Sequence, residues 1–77
     1  MSTSKTAYAL GLALRNKRSS KGLTLRDIQK RSYVALGHIS DIERGKKDAS
    51  SLVLESILNA LEYPVSEYFS DVARLVS

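Results

Sequence analysis

At 77 residues the chain is about half the length of a typical domain, which excludes large catalytic architectures and leaves room for one small core. Hydrophobic residues make up 43% and charged residues 26%, enough apolar material to fill that core and too much for a disordered segment. With no cysteine and a single histidine, His38, neither a disulfide framework, a thiolate zinc site nor a His-rich metal centre can be built, and the formal charge of +4 is a mild pointer to a polyanionic partner.

Stability must therefore come from helix packing, aided by dimerisation, and no metal or other cofactor is expected. The longest apolar segment, Ala7 to Leu14, falls far short of the roughly 18 residues of a membrane span, and the N-terminus lacks the charge order and cleavage pattern of a secretory leader. A single cytoplasmic domain over 1–77 with no membrane partner is expected, residues 1–6 being flexible.

Proline occurs once and hairpin signals such as Asn-Gly are missing, so the chain reads all-α. A first helix is predicted near 7–19, with Leu10 and Leu14 on one face and Ser19, Ser20, Lys21 and Gly22 ending it. Thr24, followed three residues later by Asp27, is a capping-box variant that starts a second helix over 25–32. Tyr33, Val34 and Ala35 make a short turn with one apolar plug, Val34. A third helix follows near 36–44, with Ile39 and Ile42 inward and Gly45 as its stop. Ser50 or Ser51 can cap a fourth over 51–62, whose stripe of Leu54, Ile57, Leu58 and Leu61 is core. Pro64 breaks the chain, Ser66 can cap, and a fifth helix is predicted over 67–75.

Charge is divided along this order. Up to Lys47 there are eleven basic and three acidic residues; from Asp48 onward one basic residue, Arg74, accompanies five acidic ones. Charge alone is equally compatible with a solvated helical surface and with nucleic-acid binding. The unit from Leu25 to Arg44 adds to it. Ile28, Val34, Ile39 and Ile42 pin two steeply crossing helices together and leave the first turn of the second helix projecting, a shape that fits the major groove while the preceding helix points its N-terminal amides at phosphate.

On KGLTLRDI (21–28), HISDIERGKK (38–47) and ILNALEYPVSEYF (57–69), the chain resembles the lambda-repressor-like helix-turn-helix regulators of the Cro/C1 (XRE) type, with a compact five-helix fold. ALGHISDIERGKKDASS (35–51) is most similar to actinobacterial regulators of Clp protease genes, and the short, apolar-ended chain is also similar to restriction-modification controller proteins. The resemblance implies a transcriptional regulator, associated with the nucleoid, that binds double-stranded DNA as a homodimer on a pseudo-palindromic operator. It places Ala35, Leu36, Gly37, His38 and Asp41 at base edges and Thr24, Arg26, Arg44, Lys46 and Lys47 at phosphates. Arg18 and Glu43 match a partly buried structural ion pair. Three positions depart from the family pattern: Leu25 for a common Gln, Gln29 for a small residue, and Tyr33 for the frequent turn Gly, where a left-handed backbone would cost roughly 1–2 kcal/mol.

The base-facing set is chemically poor, since only His38 and Asp41 can hydrogen-bond a base edge, so DNA shape and dimer spacing must supply much of any specificity. Tyr68, Phe69, Val72, Leu75 and Val76 crowd the last ten residues with more apolar surface than one small core can take, which assigns 66–77 to a dimerisation helix. An enzyme is not expected. His38 sits on a solvent-facing turn rather than between a serine and a buried carboxylate, and no Gly-rich phosphate loop exists. A reading of another class keeps the fold but binds a protein partner through the acidic C-terminal half, as an anti-activator or antitoxin-like module.

Overall fold

The first helix starts where a serine hydroxyl can satisfy its open amides: Ser4 Oγ accepts from the Ala7 N–H at 3.0 Å. In the computed structural model, which describes residues 4–77, this sets α1 at Lys5–Ser20, followed by α2 (Leu25–Ser32), α3 (Leu36–Glu43), α4 (Ser51–Leu61) and α5 (Val65–Val76). No strand occurs among the described residues. Helix α1 therefore begins two residues ahead of the expected Ala7. Of the segment 1–6 expected to be flexible, residues 1–3 lie outside the described residues, while Ser4, Lys5 and Thr6 form the cap and first turn.

The α2 start is a complete capping box: Thr24 Oγ1 accepts from the Asp27 N–H at 3.1 Å and the Thr24 N–H donates to Asp27 Oδ2 at 2.9 Å. These bonds hold the Asp27 carboxyl below the usual carboxylate range, the backbone bond contributing most. Helix α4 is capped by Ser50, whose hydroxyl accepts from the Val53 N–H. Helix α5 starts two residues earlier than expected and Ser66 does not cap it. Pro64 is the N-cap, an extended residue whose carbonyl accepts from the Tyr68 N–H and whose missing N–H leaves no donor stranded. Helix ends use the left-handed region: Tyr33 (φ 62°) after α2 and Glu62 (φ 53°) after α4 are both non-glycine residues there. Each conformation costs on the order of 1 kcal/mol relative to glycine.

The core is where the five apolar stripes meet. Helix α1 packs against α5 on one side and α3 on the other, and α2 packs against both α3 and α4. Leu14, Ile28, Ile39, Ile42, Ile57, Leu58 and Leu61 are buried, while Leu10, Val34 and Leu54 are half-buried at its margin. Fully burying an aliphatic side chain of this size contributes about 1.5–3 kcal/mol. Tyr68 is completely buried, its hydroxyl donates to the Leu10 carbonyl at 3.0 Å, and burial pushes its pKa up to about 12, so the phenol keeps its proton for that bond. Gly11 lets α1 approach α3. A Cβ there would stand 2.2 Å from the Ile42 carbonyl oxygen and 2.6 Å from that of Glu43.

Candidate nucleic-acid interface

Helices α2 and α3 are locked from beneath by Ile28, Ile39 and Ile42 and from the side by an ion pair that spans α1 and α3. Arg18 Nε donates to Glu43 Oε2 at 2.8 Å and its NH2 to Oε1 at 3.0 Å, while NH1 donates to the Leu23 carbonyl at 2.9 Å. Glu43 is buried and Arg18 nearly so, and the bonds to Glu43 raise the arginine pKa further. A bidentate pair of this kind fixes angle as well as distance. It ties the end of α3 to α1 and to the loop entering α2, which sets the attitude of the whole projecting helix.

The outward side of α3 then takes shape. Ala35, its N-cap, is exposed and offers no side-chain acceptor, so the first-turn N–H groups are left for an outside acceptor. Gly37 is exposed in open space, with nothing within 4 Å of where a Cβ would stand. Leu36 and His38 are half-buried on either side of it. Asp41 lies one turn beyond Gly37, where Arg44 NH2 donates to its Oδ1 at 3.1 Å. That bond changes the expectation for both residues: the Asp41 carboxylate is already paired within the chain, and Arg44 gives part of its charge to it.

Basic groups bracket the helix. Lys46 and Lys47 are exposed just past its end, where Gly45 (φ 73°) turns the chain and the Lys46 N–H closes on the Asp41 carbonyl at 2.8 Å. Thr24 and Arg26 are exposed at the start of α2. Arg26, Lys30, Lys46 and Lys47 form no ion pair among the described residues, so their charge is open to a polyanion. Other basic side chains are used internally. Arg31 NH1 donates to the Ala60 carbonyl, and Lys21 Nζ donates to the carbonyls of Leu61 and Glu62, at the C-terminal end of α4, where cations are favoured.

The expected dimer residues divide. Tyr68 and Val72 belong to the monomer core, because α1 lies directly against that face of α5. Leu75, part-exposed, lines a groove of about 340 Å³ between α1 and α5, together with Ala13, Asn16, Lys17 and Tyr63. Phe69 and Val76 remain outward, and Val65, which the sequence boundaries left outside the helix, joins them. Val65, Phe69 and Val76, at steps of four and seven residues, form an exposed stripe along α5 beside the buried Val72. The carboxylates of α5 are satisfied within the chain: Glu67 by Lys17 at 2.9 Å, and Asp71 by Arg74 one turn on and by the Tyr63 hydroxyl.

Residues 14–68 match the helix-turn-helix family HTH_3. The transcriptional regulator ClgR of Mycobacterium tuberculosis is 44% identical over 65 residues, which cover 84% of this chain and 58% of the relative, so the chain spans little more than half the length of that curated relative. The crystal structure of the clp gene regulator ClgR from Corynebacterium glutamicum superposes with a TM-score of 0.88 at 39% identity, covering 94% of this chain and 92% of that one. The restriction-modification controller protein C.Esp1396I, solved as a tetramer in complex with its natural 35 base-pair operator, has a TM-score of 0.88 at 25% identity, covering 95% of this chain and 96% of its own.

Proposed function

The chain belongs to the Cro/C1-type helix-turn-helix family, and on that premise we propose that it is a transcriptional regulator that binds double-stranded DNA as a homodimer on a pseudo-palindromic site. The observation that carries this reading is the projecting first turn of α3, open at Gly37 and bracketed by the unpaired cations Arg26, Lys30, Lys46 and Lys47. A helix presented in this way enters the major groove while the flanking cations and α2 first-turn amides hold phosphates. Ala35, Leu36, Gly37 and His38 face base edges, with the Asp41–Arg44 pair at the far end of the reading surface. Thr24, Arg26, Lys46 and Lys47 position the backbone.

The dimer follows from energetics. His38 is the one base-facing side chain with an unpaired hydrogen-bonding group, and a single copy cannot supply the roughly 4–10 kcal/mol that separates specific from non-specific binding. Two copies joined through the Val65, Phe69 and Val76 stripe about a two-fold axis would set the α3 helices about 34 Å apart, one duplex turn. The solved operator complex of C.Esp1396I, a protein of the same fold, supports a multimeric DNA-bound form.

Selection from random duplex DNA, followed by salt titration of the winning site, tests the reading. The expected result is an inverted repeat and a steep salt dependence, with Lys46→Ala and Lys47→Ala each making the log–log slope shallower by about one unit and weakening all sequences alike. His38→Ala should instead change the selected sequence. A pool without enrichment, or variants that alter one base position and leave the slope intact, would refute the assignment.

A further inference from the structure

Tyr33 is the most exposed of the large hydrophobic side chains among the described residues, 92% accessible, and it stands in the left-handed region where the family resemblance expects glycine. Nothing inside the chain accounts for a tyrosine there. Its ring joins no aromatic pair and its hydroxyl makes no hydrogen bond among the described residues, so neither packing nor satisfaction of a polar group offsets the backbone strain. Backbone strain that nothing inside the chain offsets is a reason to look for a contact outside it.

The surroundings indicate its chemistry. Arg26 and Lys30, four residues apart, are both exposed on α2, and Tyr33 is exposed at its C-cap, which sets two unpaired cations and a phenol in succession along the helix and its exit. Arg31, the neighbouring cation, is turned away to the Ala60 carbonyl. Tyr33 also lies two residues before Ala35, the N-cap of α3, so this succession is continuous with the interface described above. We propose that Tyr33 contacts the duplex backbone, its hydroxyl donating to a phosphate oxygen and its ring resting on the adjoining deoxyribose, with Arg26 and Lys30 extending the phosphate track along α2. The proposal rests on the DNA-binding reading and adds to it a residue that neither composition nor family pattern marks as a contact.

Tyr33→Gly separates fold from contact. Glycine relaxes the left-handed backbone, so this variant should melt at or above the parent temperature yet bind the selected duplex about tenfold more weakly. Because the phenol is neutral, the loss should be the same for every sequence and leave the salt slope unchanged, whereas Lys30→Ala should lower the slope by about one unit. Tyr33→Phe should lose part of the affinity, reporting the hydroxyl. Parent-like duplex affinity in Tyr33→Gly would overturn the contact while leaving the DNA-binding reading intact. A loss of affinity accompanied by dissociation in sedimentation would assign Tyr33 to contact between copies, and overturn it also. A parent chain that binds no duplex in the selection would remove the DNA-binding reading and this one together.

Discussion

Gly11→Ala is the sharpest probe of how the interface is held. A Cβ at this position meets the backbone of Ile42 and Glu43 at 2.2, 2.6 and 2.8 Å, and backbone atoms, unlike a flexible side chain, cannot rotate aside. Restoring ordinary contact requires α1 and α3 to separate by about 1 Å. Overpacking of this kind costs typically 1–3 kcal/mol, and the rigid partners place it at the upper end. Alanine returns about 1 kcal/mol of helix propensity, so the net loss is about 2 kcal/mol. For a domain of this size each kcal/mol shifts the midpoint by about 4–8 °C, and the variant should melt about 8–16 °C lower by calorimetry or circular dichroism. Gly37→Ala is the paired control, since its Cβ meets nothing within 4 Å: it should gain up to about 1 kcal/mol and melt higher. A Gly11→Ala protein at or above the parent midpoint would refute the close approach of α1 to α3.

Arg18→Met leaves the Glu43 carboxylate buried without its partner and should lose about 3 kcal/mol in urea denaturation at unchanged m-value; a loss below about 1 kcal/mol would mean the pair does not hold α3. For Asp27, the folded-state pKa is lowered by the Thr24 bonds, so its contribution is present above the ordinary carboxyl range and fades as the pH falls below about 4. The parent midpoint should accordingly drop more steeply with acid than that of Asp27→Asn, and parallel curves would contradict the capping box. Val65→Asp places a carboxylate in the first turn of α5, where the helix dipole favours it, while charging the outward stripe. Sedimentation at micromolar concentration should show a folded monomer, and a parent-like dimer would move the interface off this stripe. Leu75→Glu, which alters the α1–α5 groove, should dissociate the dimer less than Val65→Asp does.

Much of this molecule is written within single helical turns. Thr24 with Asp27, Ser50 ahead of Val53, and Gly45 after Glu43 each act over three or four residues, so sequence reading locates the starts and stops of α2, α3 and α4 to within a residue or two. The apolar stripe of α4 is equally local, because spacing alone brings Ile57, Leu58 and Leu61 to one face. Two boundaries escape for the same reason. Ser4 lies ahead of the first apolar residue of its helix, and Pro64 serves as an N-cap through backbone geometry rather than through a side chain that spacing rules would notice.

The sequence by itself determined five helices, the division of charge near Lys47, and a helix-turn-helix unit with its cations. Tertiary structure decided what a one-dimensional pattern leaves open. Helix α5 carries one broad apolar face, and only the arrival of α1 against part of it sends Tyr68 and Val72 inward and leaves Val65, Phe69 and Val76 outside. Gly11 looks like any small residue in an apolar run until the Ile42 and Glu43 carbonyls are found against it. Asp41 and Arg44 look like two independent DNA contacts until the turn of α3 joins them. Caps and periodicity are settled by neighbours along the chain, whereas burial, close approach and charge pairing are settled by neighbours through space, which exist only once the helices have packed.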